Sequence, residues 1–395
     1  MTDMQDEGDE ADDGLDELNQ SEAVHALAPA KEFAAWHHPR KQFVRIQQWC
    51  AEVRKLIPQL GLGNGEPFRY LTLPGNELLD VRALHGVCAA LNVKLRYLGF
   101  NSVAPNTPDQ IELALSQSEV RGLSAIDEFS GVIEDRLETV SNDRSPGSLR
   151  ARQAGPFHAI NLDLCDSIAF REIGHSKGSP LEATGKLLQL QLQASTPWLL
   201  FITTKAQPSL VGDFARDGFM RALNSNAEAS DEFRGKLAEL VSGDLDQLDA
   251  ELAAAWGNQD TRFLRLFCTG LGKWLLGILA HAAPPRQLTL LSSCYYQSGP
   301  DGPDMLSLAF LCGAPVQAVN DPAAILPVAA QPTVPSEIDC ALQLTDGIGA
   351  MFDLDARLTS DQALREKLIA QAGRLMATAR YSETEYQTWA SAKFG

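Results

Sequence analysis

No CxxC pair interrupts the sequence, although it carries seven cysteines. Cys50, Cys88, Cys165, Cys268, Cys294, Cys312 and Cys340 stand singly inside apolar stretches. That spacing excludes a zinc ribbon or finger and predicts buried, reduced thiols. His37 and His38 are adjacent, which is not the spacing at which one helix face presents metal ligands, so no metal is expected. No run of about 18 uncharged apolar residues is present, and no membrane span or membrane partner is expected. The first 20 positions lack any lysine or arginine yet contain nine acidic residues, which predicts a disordered acidic tail over 1–30. The same stretch has neither a basic n-region nor an apolar h-region, so the expected location is cytoplasmic.

What is present is a chain of 395 residues, large enough for one big α/β domain with additions. Its net charge is −18, and the body stays mildly acidic without the tail. No global field therefore draws it to nucleic acid, and any basic site must be local. The local candidate is "HHPRKQFVRIQQWCAEVRKLI" (37–57), part of an N-terminal helix and linker over 31–66. Phe43, Ile46, Cys50, Val53 and Ile57 form one apolar helical stripe. Lys41, Arg45 and Lys55 are expected on the opposite side, with Arg40 and the two histidines at the start. Arg40, Lys41 and Arg45 could grip phosphates, making this helix the candidate nucleic-acid contact. The simpler expectation is a solvated face on a helix packed against a sheet.

From Phe68 the pattern alternates. Strands are expected at 68–73, 93–100, within 131–140, at 157–164, 197–204, 286–299 and 304–313. Helices are expected near 80–92, at 106–120 with Thr107 as N-cap and Pro108 first, and from Ser179, where Glu182 completes a capping box. Further helices are expected at 209–223, 261–282, 360–378 and 382–394, and residues 224–260 read as an inserted helical arm. Strand–helix alternation implies a mostly parallel sheet covered on both faces. "PDGP" (300–303) between the last two strands signals a hairpin, which sets the final strand antiparallel. The predicted fold is α/β: a Rossmann-like, mostly parallel seven-stranded sheet closed by an antiparallel hairpin, spanning 67–315, with helical additions at both ends, the second over 316–395.

That element order resembles the class I, Rossmann-type S-adenosylmethionine-dependent methyltransferases over about 68–313. The resemblance implies S-adenosylmethionine as cofactor and assigns candidate positions residue by residue. "LTLPGNELLD" (71–80) would hold the methionine part of the cofactor through Pro74, Gly75, Asn76 and Asp80, with one glycine where the family has several. Asn101, ending the second strand, stands where the family usually has a carboxylate for the ribose hydroxyls. Asp135 or Glu134 would meet the adenine amine. "INLDLCD" (160–166) ends the fourth strand where the methyl group faces its acceptor: Asn161 would contact the cofactor, and Asp163 or Asp166 would orient or deprotonate the acceptor. The Pro-Pro-aromatic signature of amino-methylating enzymes is absent. Two functions follow: a methyltransferase with nucleic acid as candidate acceptor, or an inactive methyltransferase-like scaffold in a protein assembly. In the second, the acidic tail or the C-terminal helices would bind a protein partner.

Two other motifs are weaker. "GHSKG" (174–178) matches the nucleophile-elbow pattern G-x-S-x-G, but the capping box starts its helix only at Ser179, so a loop explains the serine better. "GLGNG" (61–65) precedes its strand, so no helix N-terminus would follow to hold a phosphate, and it reads as a linker.

Overall fold

The computed structural model describes residues 31–394 except 64, 171–177, 242–243, 301 and 316–334. The expected acidic tail and most of the G-x-S-x-G motif lie outside the described residues.

Among the described residues a 3-10 turn (Ala35–His37) leads into a helical rod: α1 (Pro39–Phe43), a π-helical stretch (Val44–Cys50) and α2 (Ala51–Leu60). The alternating part follows, as β1 (Pro67–Thr72), α3 (Leu79–Ala90), β2 (Lys94–Phe100), α4 (Pro108–Arg121) and β3 (Gly131–Ile133). Then come α5 (Pro146–Ala154), β4 (Ala159–Asp163), α6 (Pro180–Gln191) and β5 (Trp198–Lys205). The local signals hold where caps are short-range. Thr107 accepts from the Gln110 amide with Pro108 at the first position of α4. Ser179 and Glu182 close the capping box of α6.

Three helices, α7 (Asp213–Ala229), α8 (Asp231–Val241) and α9 (Leu248–Gly257), lead into α10 (Thr261–Ala280). The expected inserted arm, 224–260, is helical and packs into the core. Phe219, Phe233, Leu237, Leu248 and Leu252 are buried in the core cluster that also holds β4 and β5 side chains. The α10 helix is long and apolar enough to cross a membrane, but 72% of its apolar window is buried inside the protein. It is sandwiched: a Cβ at Gly270 would lie 2.6 Å from Phe219 Cβ, and one at Gly272 would lie 2.7 Å from Leu344 Cδ2. Glycine there lets neighbouring elements approach, which outweighs its helix penalty of about 1 kcal/mol.

The sheet closes with β6 (Leu288–Tyr296) and β7 (Met305–Cys312), the expected hairpin, and gains a strand the sequence reading lacks. Among the described residues it has eight strands where seven are predicted. The C-terminal part contributes β8 (Phe352–Asp353), between α11 (Glu337–Gly349) and α12 (Leu354–Ser360), before α13 (Gln362–Ala377) and α14 (Glu383–Phe394). Two residues are too few to show an alternating pattern. The order is β3-β2-β1-β4-β5-β7-β6-β8. The first five run parallel, β7 is antiparallel to both β5 and β6, and β8 is parallel to β6. The architecture is α/β with a mixed, mostly parallel sheet.

Strand alternation divides the core into two layers. Phe68, Tyr70, Ala159, Leu199 and Phe201 point toward the α1–α2 rod and α3. Leu71, Ile160, Leu162, Leu200 and Ile202 point toward α6, α7 and α10. A third cluster joins Leu79, at the start of α3, to Ile369, Met376, Tyr381 and Tyr386 of the C-terminal segment. The carboxyl ends of the central strands are thus approached by both chain extensions.

Candidate functional site

The chain reverses its strand order at β1, with β2 on one side and β4 on the other, and Thr72 lies opposite both Gly99 and Asn161. Ligands of open α/β sheets bind outside the carboxyl ends at such a switch point. Most of the positions expected from the sequence lie at the carboxyl ends of the strands. Pro74, Gly75 and Asn76 follow β1, Asn101 follows β2, Asp135 follows β3, and Asn161 and Asp163 end β4. Asp166 is exposed beyond β4, and its carbonyl accepts from the Thr204 hydroxyl at 3.2 Å.

The loop after β1 is held by its neighbours. Asn101 Nδ2 donates to the Pro74 carbonyl at 2.9 Å and to Asn76 Oδ1 at 3.1 Å. The Leu78 amide donates to the Gly75 carbonyl at 3.0 Å, and Leu78 itself has φ +51°. Gly75 is exposed, and a Cβ there would meet only Glu77 Oε2, at 3.5 Å. Asp135 accepts from the Arg136 amide at 2.8 Å, and the neighbouring Glu134 accepts from Gln110 Nε2 at 3.1 Å.

Asp80 does not face that loop. Its carboxylate turns into the core, accepting from Thr72 Oγ1 at 2.5 Å and Tyr70 OH at 3.0 Å. Burial raises its pKa, partly offset by those two hydrogen bonds. Asn161 Nδ2 donates to the same Tyr70 hydroxyl at 2.9 Å, while Asn161 Oδ1 is buried without a partner among the described residues. Tyr70, Thr72, Asp80 and Asn161 therefore form one buried polar chain across β1, α3 and β4. A signal for it was present: Tyr70 and Thr72 put two hydroxyls on the face of β1 that also carries Phe68.

The basic helix differs most from expectation. Lys41 and Arg45 are buried, not on a solvated face. The helix is covered on nearly every side: Phe43, Cys50, Val53 and Ile57 of the expected stripe are buried, and so are Lys41, Arg45, Gln48 and Trp49. Lys41 Nζ pairs with Asp163 and lies 5.6 Å from the Trp49 ring centroid. Arg40 pairs with Asp355 and donates to the Gln297 carbonyl at 2.6 Å. Arg45 donates to the Trp36 carbonyl at 3.3 Å. Deeper, Gln48 Oε1 accepts from the Ser307 hydroxyl at 2.7 Å. Lys55 is exposed, as expected, and pairs with Glu52 at 2.8 Å.

A second fastening joins the two extensions over α3. Tyr381 OH donates to Glu77 Oε1 at 3.0 Å, and Tyr386 OH donates to the His37 carbonyl at 2.6 Å. Phe33 stacks on Tyr381 at 5.5 Å and meets Trp389 at 5.3 Å. Burial, then the charges of Arg45 and Lys31, push the His37 pKa from 6.5 down to about 3, so its ring is neutral. Six of the seven cysteines are buried as expected, whereas Cys165, at the end of β4, is exposed. No metal-binding cluster of His, Cys, Asp or Glu occurs among the described residues.

The fold and this geometry define an α/β protein whose candidate site sits at the carboxyl ends of β1, β2 and β4. A family model described as PP_RS20740-like matches residues 30–391, so the chain belongs to the PP_RS20740-like family. No curated protein and no solved structure matches it.

Proposed function

We propose that the chain is a class I, Rossmann-type S-adenosylmethionine-dependent methyltransferase. The observation that supports this reading is the strand order 3-2-1-4-5-7-6, extended by β8 beside β6, with β7 antiparallel between β5 and β6. The residues fit the cofactor in part. Gly75 leaves one side of the loop open to close approach, Asn101 holds the loop, and Asp135 follows β3, one strand beyond β2. Bound there, the cofactor would supply an electrophilic methyl group on a sulfonium. Pro74, Gly75 and Asn76 would hold its amino-acid end, Asn101 the ribose and Asp135 the base. Asp163 would orient the acceptor, work that is mainly positioning. Asn161, locked by Tyr70, would keep the end of β4 rigid. Nucleic acid as acceptor requires Arg40 and Lys41 to leave Asp355 and Asp163.

A specific observation favours a second reading, a scaffold that keeps the fold without the cofactor. Both amide hydrogens of Asn101 are already engaged by the loop, and Glu77 and Leu79 are engaged by the C-terminal segment. Calorimetric titration of the full chain with S-adenosylmethionine and S-adenosylhomocysteine separates the two. Saturable binding is expected for the enzyme. An absence of heat at millimolar ligand, where a known methyltransferase binds, contradicts it and leaves the scaffold.

A further inference from the structure

The amino ends of the same central strands enclose a cavity of about 230 Å3, on the side of the sheet away from the candidate site. Its polar wall consists of Arg69, His158, Gln193, Ser195 and Thr196. Leu62, Phe157 and Ala194 contribute an apolar wall.

The chemistry of the polar wall is one-sided. His158 Nδ1 accepts the Arg69 backbone N–H at 3.0 Å. That bond fixes the tautomer, so Nε2 carries the proton and is a donor. The Arg69 guanidinium makes no hydrogen bond or ion pair among the described residues. The charge that acts on it comes from Arg96, its register partner on β2. Arg96 itself is neutralised by a two-pronged contact with Asp127, at 2.8 and 3.0 Å. The charge acting on His158 is in turn that of Arg69. Among the described residues no carboxylate lines the cavity, in a chain with 51 acidic and 33 basic residues. An uncompensated guanidinium, an imidazole N–H, two hydroxyls and a side-chain amide therefore face one space.

We propose that this cavity binds a small organic phosphate, its phosphate group held by Arg69 and His158 and its carbon skeleton lying against Leu62 and Phe157. A tetrahedral oxyanion matches this donor set better than a carboxylate, because it offers more acceptor oxygens to donors arriving from several directions. The cavity also exceeds what a bare phosphate fills, and the apolar wall would contact the remainder. The site does not depend on the cofactor reading, since no residue is shared with the carboxyl-end cluster.

The test uses the full chain, with phenyl phosphate, inorganic phosphate and benzoate titrated by calorimetry at matched ionic strength. Phenyl phosphate is expected to saturate and to bind more tightly than either other probe. Arg69→Gln is expected to weaken it about tenfold or more, the loss of a charge-assisted hydrogen bond. Arg69→Lys is expected to recover part of the affinity. Circular dichroism and the thermal midpoint confirm that both variants fold. Ser195→Ala, at an exposed loop position, is a second variant and is expected to weaken binding by a smaller factor. No saturation by phenyl phosphate up to tens of millimolar overturns the proposal. Equal affinity in wild type and Arg69→Gln also overturns it, and so does tighter binding of benzoate.

Discussion

At the carboxyl ends of β1 and β4, Lys41 meets Asp163, and the Asp80 carboxylate accepts from two hydroxyls. At the amino ends of the same two strands, Arg69 and His158 face no carboxylate among the described residues. The carboxyl end is stitched by segments that arrive from both ends of the chain, whereas the amino end is left as a donor-rich hollow. The difference teaches where substitutions cost stability and where they cost binding. Side chains whose partners are built in are structural in the free protein. Side chains left uncompensated can be removed cheaply, and their energy becomes available to a ligand.

Five substitutions and a pH dependence can break this contrast. The largest effect is expected for Asp80→Ala, which strands the buried hydroxyls of Tyr70 and Thr72 and should cost about 3 kcal/mol in urea unfolding. Asp80→Asn keeps an acceptor and should cost about 1 kcal/mol. Next, Lys41→Met removes one partner of a mostly buried pair and should destabilise by about 2 kcal/mol, less than a fully buried pair because Asp163 keeps some solvent.

A pH dependence follows from the buried rings. Burial and neighbouring cations hold His37 at about 3, and burial and Arg69 hold His158 at about 4, each from 6.5. The unfolded chain therefore binds these protons more readily than the folded one. Their contribution is complete above the unfolded value and is lost as pH falls, by at most ~1.4 kcal/mol per unit per ring between about 6.5 and 4. His158→Asn should flatten that acid limb, and an unchanged slope would contradict it. The smallest effect is expected for Arg69→Met, within about 0.5 kcal/mol of wild type. A loss there as large as that of Lys41→Met would erase the distinction between the two ends.

The sequence is most legible where its signals are local. Thr107 with Pro108, and Ser179 with Pro180 and Glu182, mark helix starts that the structure contains, because a cap needs only four consecutive residues. Seven strands are readable from apolar runs, but β8 is two residues long and carries no pattern. The helix α11 was hidden by its position after a Pro/Ala-rich stretch. At the candidate site, the positions after β1, β2, β3 and β4 were readable from element order. Their partners were not. Lys41 and Asp163 are 122 residues apart, and Tyr70 and Asn161 are 91 apart, so only folding brings them together. The burial of Lys41 and Arg45 was unreadable for a different reason: a helical wheel sets one apolar face against one solvated face, and this helix is covered on both.

Hydrogen exchange of the full chain with and without S-adenosylhomocysteine tests the central claim most directly. The account predicts slowed exchange in the 73–80 loop, at Asn101 and around Asp135, and unchanged exchange around Arg69 and His158. Exchange unchanged at the carboxyl ends under saturating ligand, or slowed only at the amino ends, would contradict it.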